Sequence, residues 1–170
     1  MSFPFKSTYP TPTECSSGIN SCEFIILHHT GTQEGTIKWV LDWLYKRADY
    51  ASCHFVVDVN WDAYKIGNPT DILWHAGEST WNWKKDLNKY SMGIEIIWPL
   101  KNGGFTQAQR TTVKWLVSHL MKVFNIPKEN VIRHKDIAPK RKVDVADTFW
   151  NNKFKTYKDY QNSLTPREWS

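Results

Sequence analysis

The chain has 170 residues, of which 41% are hydrophobic and 23% are charged, and its formal net charge at pH 7 is +5. These values predict one globular domain with a real core and exclude a disordered chain, and the lack of a long apolar run excludes a membrane span. The positive charge favours a polyanionic partner such as nucleic acid, anionic membrane or bacterial wall polymer, without choosing among them. Ten tryptophans exceed the needs of a core and favour a surface that stacks on sugars, bases or peptides.

Residues 1–22 are rich in Pro, Ser and Thr and predict an extended arm that lies on the domain. They contain no basic start followed by an apolar stretch, so we expect no signal peptide and, for action outside a cytoplasm, another route of release. The three cysteines, Cys15, Cys22 and Cys53, form no disulfide framework. Cys15 and Cys22 could still close a small loop under oxidising conditions.

A short apolar run from Glu23 to Leu27 predicts a buried strand that stops where His28 and His29 begin. A histidine at the C-terminal end of a buried strand is well placed to bind a metal ion. The alternative is a hydrogen-bonded histidine pair with a structural role, and this stretch alone leaves both readings open.

A helix is predicted to begin after Thr36, whose hydroxyl can cap it, and to run to about Arg47. Its apolar residues recur at the spacing of one inward face. Trp39 and Trp43 lie four residues apart beside that face, where we expect ordinary packing more often than a platform for substrate.

Three short strands are predicted next, over residues 53–58, 63–66 and 72–74, and the last delivers His75 to its end. His54 falls inside the first of them. We therefore expect His54 to be a hydrogen-bonded core histidine.

The strand predicted from Ser91 to Trp98 has the composition of a buried element, yet Glu95 lies in its middle. An unpaired buried carboxylate costs several kcal/mol, so this residue needs a partner or a chemical role. Beside a metal-bound water it would act as a general base, because burial raises its pKa toward the working range. The alternative is an edge strand with Glu95 facing solvent.

A turn at Asn102–Gly104 is predicted to precede a long helix. Thr106 and Gln109 form a capping box that opens this helix, which runs to about Asn125. His119 lies beside the inner stripe of the helix and is expected to be structural.

The chain is predicted to return to the sheet at 131–132 and to form a short terminal helix around Phe149 and Trp150. A polar tail is expected from Tyr157 to Ser170. The elements together predict a single α/β domain over residues 23–156, with an N-terminal arm at 1–22 and a C-terminal tail at 157–170.

The segment HKDIAPKRKVD, from His134 to Asp144, combines a histidine, an aspartate and several cations. Pro139 biases Ala138 away from helix, so we expect an ordered loop at the end of a strand rather than a continuing element. His134 and Asp144 can both face one site, and with a second histidine they would form a three-ligand zinc site open to water. The alternative is a solvated basic loop.

Four segments together, HHTGT, WHAGES, SMGIE and H-x-D-I-A-P-x-R-K-x-D, resemble the zinc-dependent type-2 N-acetylmuramoyl-L-alanine amidases. This family shares its fold with phage lysozyme-type amidases and animal peptidoglycan recognition proteins. The resemblance extends from Glu23 to Trp150, and the last motif is the most specific. It implies a central mixed β-sheet flanked by helices, with zinc in a surface groove at the strand ends.

Carried onto this sequence, the resemblance implies three zinc ligands, His28, His134 and Asp144. In the family branch with an aspartate ligand, it also implies Glu95 as the catalytic base and Lys142 as the residue that stabilises the oxyanion. The sequence departs from phage lysozyme-type members by having a cysteine, at position 53, where they have a catalytic tyrosine. In the aspartate branch the glutamate takes that role, so the departure does not predict inactivity.

The resemblance implies cleavage of the amide bond between N-acetylmuramic acid and the L-alanine of the stem peptide. His75 is expected to contact substrate, and Trp74, Trp81 and Trp83 are candidates for the walls of the groove. The expected partner is peptidoglycan or a muropeptide, with no nucleic acid and no membrane insertion, and we expect a monomer.

Three alternatives remain at this point. A non-catalytic peptidoglycan-recognition module would bind the wall without cutting it, but such modules typically lack a zinc ligand and none is missing here. A nucleic-acid-binding protein is suggested by charge alone. As an enzyme, the protein fits a phage endolysin released through a holin and also a cytoplasmic amidase that recycles muropeptides.

Overall fold

The computed structural model describes residues 3–13, 15–31, 35–46, 51–98, 104–150 and 154–167. Within these ranges the chain forms ten short strands and four α-helices. The strands are β1 (Ser7–Thr8), β2 (Cys15–Ser16), β3 (Phe24–His29), β4 (Phe55–Val57), β5 (Ala63–Lys65), β6 (Ile72–Leu73), β7 (Thr80–Trp81), β8 (Lys84–Lys85), β9 (Ser91–Ile96) and β10 (Val131–Arg133). The helices are α1 (Ile37–Lys46), α2 (Gln107–Phe124), α3 (His134–Ile137) and α4 (Tyr157–Asn162).

Six of the strands form one mixed sheet in the order β1-β5-β4-β9-β3-β10. Strand β3 pairs in parallel with β9 and β10, and β4 pairs in parallel with β9 but antiparallel with β5. All six residues of β3 are buried, as expected for a continuous apolar run covered on both faces. The predicted α/β domain with a central mixed sheet flanked by helices is confirmed.

The two faces of β3 belong to different parts of the core. Ile25 and Leu27 pack in the cluster that contains the inner residues of α2, whereas Phe24 and Ile26 pack on the other face, against residues of α3. Alternate side chains of a strand point to opposite faces. His28 therefore lies on the face opposite α2.

Two predicted boundaries at the strand ends were wrong. Strand β3 continues through His29 instead of stopping at Leu27, because its pairing with β9 extends to that residue. The segment after β10 opens with one helical turn, α3, instead of a loop. The turn ends before Ala138, whose φ of −142° is not helical, as the following Pro139 requires.

The segment from Tyr157, which the sequence analysis treated as a polar tail, contains α4. Thr156 and Asp159 form a capping box at its start, and Tyr160 and Leu164 are buried in the same core cluster as α2. The short helix expected near Phe149 is a 3₁₀ turn, Asp147–Phe149. The predicted turn at 102–104 and the predicted helix end at residue 47 lie wholly or partly outside the described residues.

The N-terminal strands extend the sheets, since β1 pairs with β5 and β2 pairs with β6. Cys15, Cys22 and Cys53 are free thiols. Within the described ranges, no helix has both the length and the apolar character that would be needed to cross a membrane.

Candidate metal centre

Three predicted ligands converge on the face of the sheet opposite α2. His28 comes from the C-terminal part of β3, His134 begins α3, and Asp144 ends the basic loop; all three are buried. Nδ1 of His28 lies 2.9 Å from Nδ1 of His134, and Oδ2 of Asp144 lies 3.2 Å and 3.0 Å from these two atoms. Parallel pairing of β10 with β3 accounts for this, because it places the end of β10 beside His28.

His29 does not join this cluster. Its Nδ1 donates to the backbone carbonyl of Thr30 at 3.0 Å, and its ring packs edge-on against Trp98 with 4.1 Å between centroids. The alternation of β3 turns the two histidines to opposite faces, and only the first faces His134.

A backbone contact determines which nitrogen of His134 carries the proton. Its Nε2 lies 3.1 Å from the carbonyl oxygen of Ala76, which can only accept, so Nε2 must be protonated. A neutral imidazole has one ring proton. Nδ1 of His134 therefore presents a lone pair to His28 and Asp144.

His75 sets the tautomer of His28 in the same way. Nε2 of His75 donates to the carbonyl of Ser91 at 3.2 Å, which leaves Nδ1 of His75 as an acceptor. This acceptor lies 3.1 Å from Nε2 of His28, so the proton of His28 is on Nε2 and its Nδ1 is also a lone pair. Burial lowers the pKa of His28 to about 4 and the pKa of His75 well below its usual value, so both rings are neutral at pH 7.

The chemistry of this donor set fits zinc. As a carboxylate, Asp144 presents Oδ2 to the same point as these two imidazole lone pairs, 3.2 Å and 3.0 Å from them. Two lone pairs and a carboxylate oxygen thus meet without a proton between them, an arrangement that repels itself unless a cation lies among the three atoms. Two histidines and one carboxylate are a common catalytic zinc set with a fourth position open.

Glu95 lies directly beside His28 in the register of β9 and β3. Its pKa is raised to about 8, first by burial and then by the charge of Asp144, while Lys142 lowers it in part. Glu95 therefore lies in a central strand that is paired on both sides, and it faces the candidate metal ligands. The alternative of an edge strand with Glu95 facing solvent is wrong.

An open cavity of about 510 Å³ gives access to the cluster. Its lining includes all three candidate ligands together with Glu95 and Lys142. Cys53 also lines it, and burial, followed by the charge of Glu95, raises the pKa of the Cys53 thiol well above its usual value. That thiol is therefore protonated at neutral pH.

The residues expected to contact substrate differ in their position relative to this cavity. His75 lies in the cavity wall, but both of its ring nitrogens are engaged by His28 and Ser91 and neither is left for a ligand. Trp74 donates from Nε1 to the hydroxyl of Ser16 at 2.7 Å, and Trp81 packs against the core cluster on that side of the sheet. Neither tryptophan lines the cavity.

Trp39 and Trp43 line the cavity instead. They belong to α1, where the usual burial of large aromatic side chains predicts ordinary packing. The four-residue spacing of two tryptophans beside the apolar stripe was the available signal, since it places both on one helix face at the edge of the core. His54 is the predicted core histidine: it accepts from the backbone N–H of Gly93 and donates to the carbonyl of Asp71.

The fold and the donor set define an α/β domain with a candidate metal site beside a partly buried glutamate. Residues 19–147 match the family model described as Amidase_2, N-acetylmuramoyl-L-alanine amidase. This span is most of the chain, and the chain belongs to that family.

Among curated proteins, the chain is 32% identical over 99 residues to 1,6-anhydro-N-acetylmuramyl-L-alanine amidase AmpD of Haemophilus influenzae. That match covers 58% of this chain and 53% of AmpD. The chain spans about a third to a half of the length of the curated relatives it matches.

Solved structures share the fold. A selenomethionine derivative of AmpD matches with a TM-score of 0.72 at 17% identity, covering 95% of this chain and 96% of that one. A mutant endolysin from Bacillus subtilis matches with a TM-score of 0.67 at 24% identity, covering 86% and 97%. At these identities the likeness establishes the fold alone.

Proposed function

We propose that this chain is a zinc-dependent amidase that cleaves the bond between the lactyl carbonyl of N-acetylmuramic acid and the amino group of L-alanine. The observation that carries the proposal is the convergence of three proton-free donors, on His28, His134 and Asp144, beside the partly buried Glu95 in one open cavity. Membership of the amidase family supports the same reaction.

His28, His134 and Asp144 would hold the zinc ion, which would supply a Lewis acid that acidifies water and polarises a carbonyl group. Glu95 accepts the proton of the attacking water on its carboxylate and returns it to the amine nitrogen that leaves with L-alanine. Its burial suits both steps, because a pKa near neutrality lets one group act as base and then as acid.

Lys142 lines the cavity on the side of the basic loop. Its ammonium group stabilises the negative charge that develops on the carbonyl oxygen, and such a donor commonly contributes roughly 3 to 4 kcal/mol. Trp39 and Trp43 line the same cavity and offer apolar faces to the sugar or the stem peptide.

In the cell, we propose a wall-lytic role of the endolysin type, in which the enzyme is made in the cytoplasm and reaches the wall after release. The net charge of +5 supports this role, because bacterial walls are polyanionic. The competing role is the recycling of soluble muropeptides, which needs no affinity for the polymer.

The proposal is tested by incubating the protein with purified peptidoglycan sacculi, with chelator, and with chelator followed by zinc. We expect new L-alanine amino termini without new reducing sugars, a loss of this activity with chelator and its return with zinc. Binding of sacculi without any new amino terminus, on sacculi and on soluble muropeptides alike, would identify a recognition module instead.

A further inference from the structure

The hairpin of β7 and β8 carries a tryptophan where the backbone favours glycine. Pairing of the two strands leaves Asn82 and Trp83 as a two-residue turn. Their φ angles are +45° and +68°, the left-handed region that this tight turn needs at both positions. Asn-Gly is the preferred pair for such a turn, because a Cβ disfavours left-handed backbone.

Packing does not account for Trp83 either, since its side chain is 100% exposed. A bulky residue in left-handed backbone that buries none of its surface works against folding on both counts. Neither the backbone preference nor packing within the domain explains a tryptophan at this position.

The hairpin borders an open cavity of about 560 Å³ that is lined mostly by residues with polar or charged side chains. Its lining residues are Gly77, Glu78, Ser79, Thr80, Lys85, Asp86 and Asn88. This cavity adjoins the metal-site cavity at Arg141, which lines the latter and donates to the carbonyls of Ala76 and Glu78 at 2.9 Å each.

Both cavities also belong to one face of the sheet. Trp81, at the start of the hairpin, packs against the cluster of Phe24 and Ile26, and His28 lies on that same face of β3. An extended ligand that enters the metal site can therefore continue past Arg141 to the hairpin.

We propose that this second cavity and Trp83 form a subsite for a further sugar of the glycan strand, beyond the muramic acid whose amide bond is cut. The inference rests on the proposed function and specifies its substrate as the polymer. A pyranose ring stacks its C–H face on an exposed indole, and the hydroxyls of Ser79 and Thr80 supply partners for sugar hydroxyls.

The charges of the lining favour a glycan over a membrane surface. Glu78 and Asp86 are acidic and would repel anionic lipid headgroups. Lys84 forms an ion pair with Glu23 at 3.1 Å and lies over the ring of Tyr90, 4.2 Å from its centroid. Its positive charge is therefore already paired within the protein.

The test compares the full chain with Trp83→Gly on two substrates, sacculi and soluble N-acetylmuramyl-L-alanyl-D-isoglutamine. Glycine fits the turn, so the melting temperature should be equal or higher. Binding to sacculi, measured by sedimentation with chelated protein, should weaken roughly fivefold to tenfold, the loss expected for one stacking contact. Turnover of the soluble fragment should be unchanged, because it has no second sugar.

Trp61→Ala is the matched control. Trp61 is also exposed, at 58%, but it stacks on Trp115 of α2, on the other side of the sheet. Equal sacculus binding by Trp83→Gly and the wild type, an equal loss in Trp61→Ala, or an equal loss of turnover on the soluble fragment would each overturn the subsite.

Vesicles of phosphatidylglycerol and phosphatidylcholine test the membrane alternative. Binding of vesicles that Trp83→Gly abolishes, with sacculus binding intact, would reassign the tryptophan to a lipid surface and overturn the proposal. Failure of the wild type to cleave either substrate would instead refute the amidase function, and the sedimentation comparison would still decide whether Trp83 binds glycan.

Discussion

Nε2 of His28 donates to Nδ1 of His75 across 3.1 Å, and this one contact decides which nitrogen of His28 faces Asp144. Nδ1 of His75 can accept this hydrogen bond because the ring proton of His75 is on Nε2, which donates to the carbonyl of Ser91. A side chain expected to contact substrate thus orients a candidate metal ligand, an arrangement that commonly changes metal affinity by 10- to 100-fold.

Two substitutions of His75 separate this role from simple packing. In His75→Asn the amide oxygen takes the place of Nδ1 and can still accept from His28, whereas His75→Gln places its amide near Nε2 and keeps only the contact with Ser91. We expect zinc affinity, measured by competition with a chromophoric chelator, to stay within a few-fold in the first and to fall about 10- to 100-fold in the second. Equal affinities in the two variants would show that the acceptor has no role.

Gly93 allows that arrangement, because a Cβ at this position would lie 2.5 Å from Cγ of His75. Gly93→Ala must therefore displace the imidazole and lengthen its contact with His28. We expect a loss of stability of about 1 to 3 kcal/mol, the usual cost of overpacking, together with weaker zinc binding. Urea unfolding of the metal-free protein and chelator competition measure the two effects, and normal zinc affinity in this variant would contradict the coupling.

Much of this arrangement was accessible from the sequence, because residue types and spacing mark the donors. His28, His134 and Asp144 stand at the ends of a buried strand and of a proline-limited loop, and parallel strands bring such ends together. The role of His75 was not accessible, because it depends on the distance between two rings from segments 47 residues apart. Local patterns carry no information on that distance.

The position of the tryptophans relative to the cavity was also not accessible from local patterns. Trp74 adjoins His75 in the sequence, but neighbours along an extended chain point to opposite sides, and Trp74 does not line the cavity. Trp39 and Trp43 line the cavity because α1 packs beside it, which depends on the tertiary fold. The helix α4 was missed because its buried residue Tyr160 stands among polar neighbours.

Glu95→Gln removes the group that carries the proton and keeps the size of the side chain. We expect kcat on sacculi to fall by about 10²- to 10⁴-fold, the usual contribution of a general base, with zinc affinity within a few-fold of the wild type. Glu129→Gln, an exposed position, is the control and should keep full activity. An active Glu95→Gln enzyme would move the base to another residue of the cavity.

The pKa of Glu95 also predicts how the stability of the metal-free protein depends on pH. Burial raises this pKa from 4.5 to about 8, so the folded state holds a proton that the unfolded state releases. The stabilisation is complete below the unfolded value and is lost as the pH rises through the folded value, with a slope of up to roughly 1.4 kcal/mol per pH unit.

Between pH 7 and 8 the effect of Glu95 on stability can be measured apart from the effects of the histidines. The depressed pKa values of His28, His54 and His75 change stability mainly below 6.5, where the unfolded histidines gain protons. Urea unfolding of chelated protein should show stability declining across this window in the wild type and staying level in Glu95→Gln. Parallel profiles would mean that Glu95 is already ionised in the folded protein at these pH values, which would contradict the raised pKa.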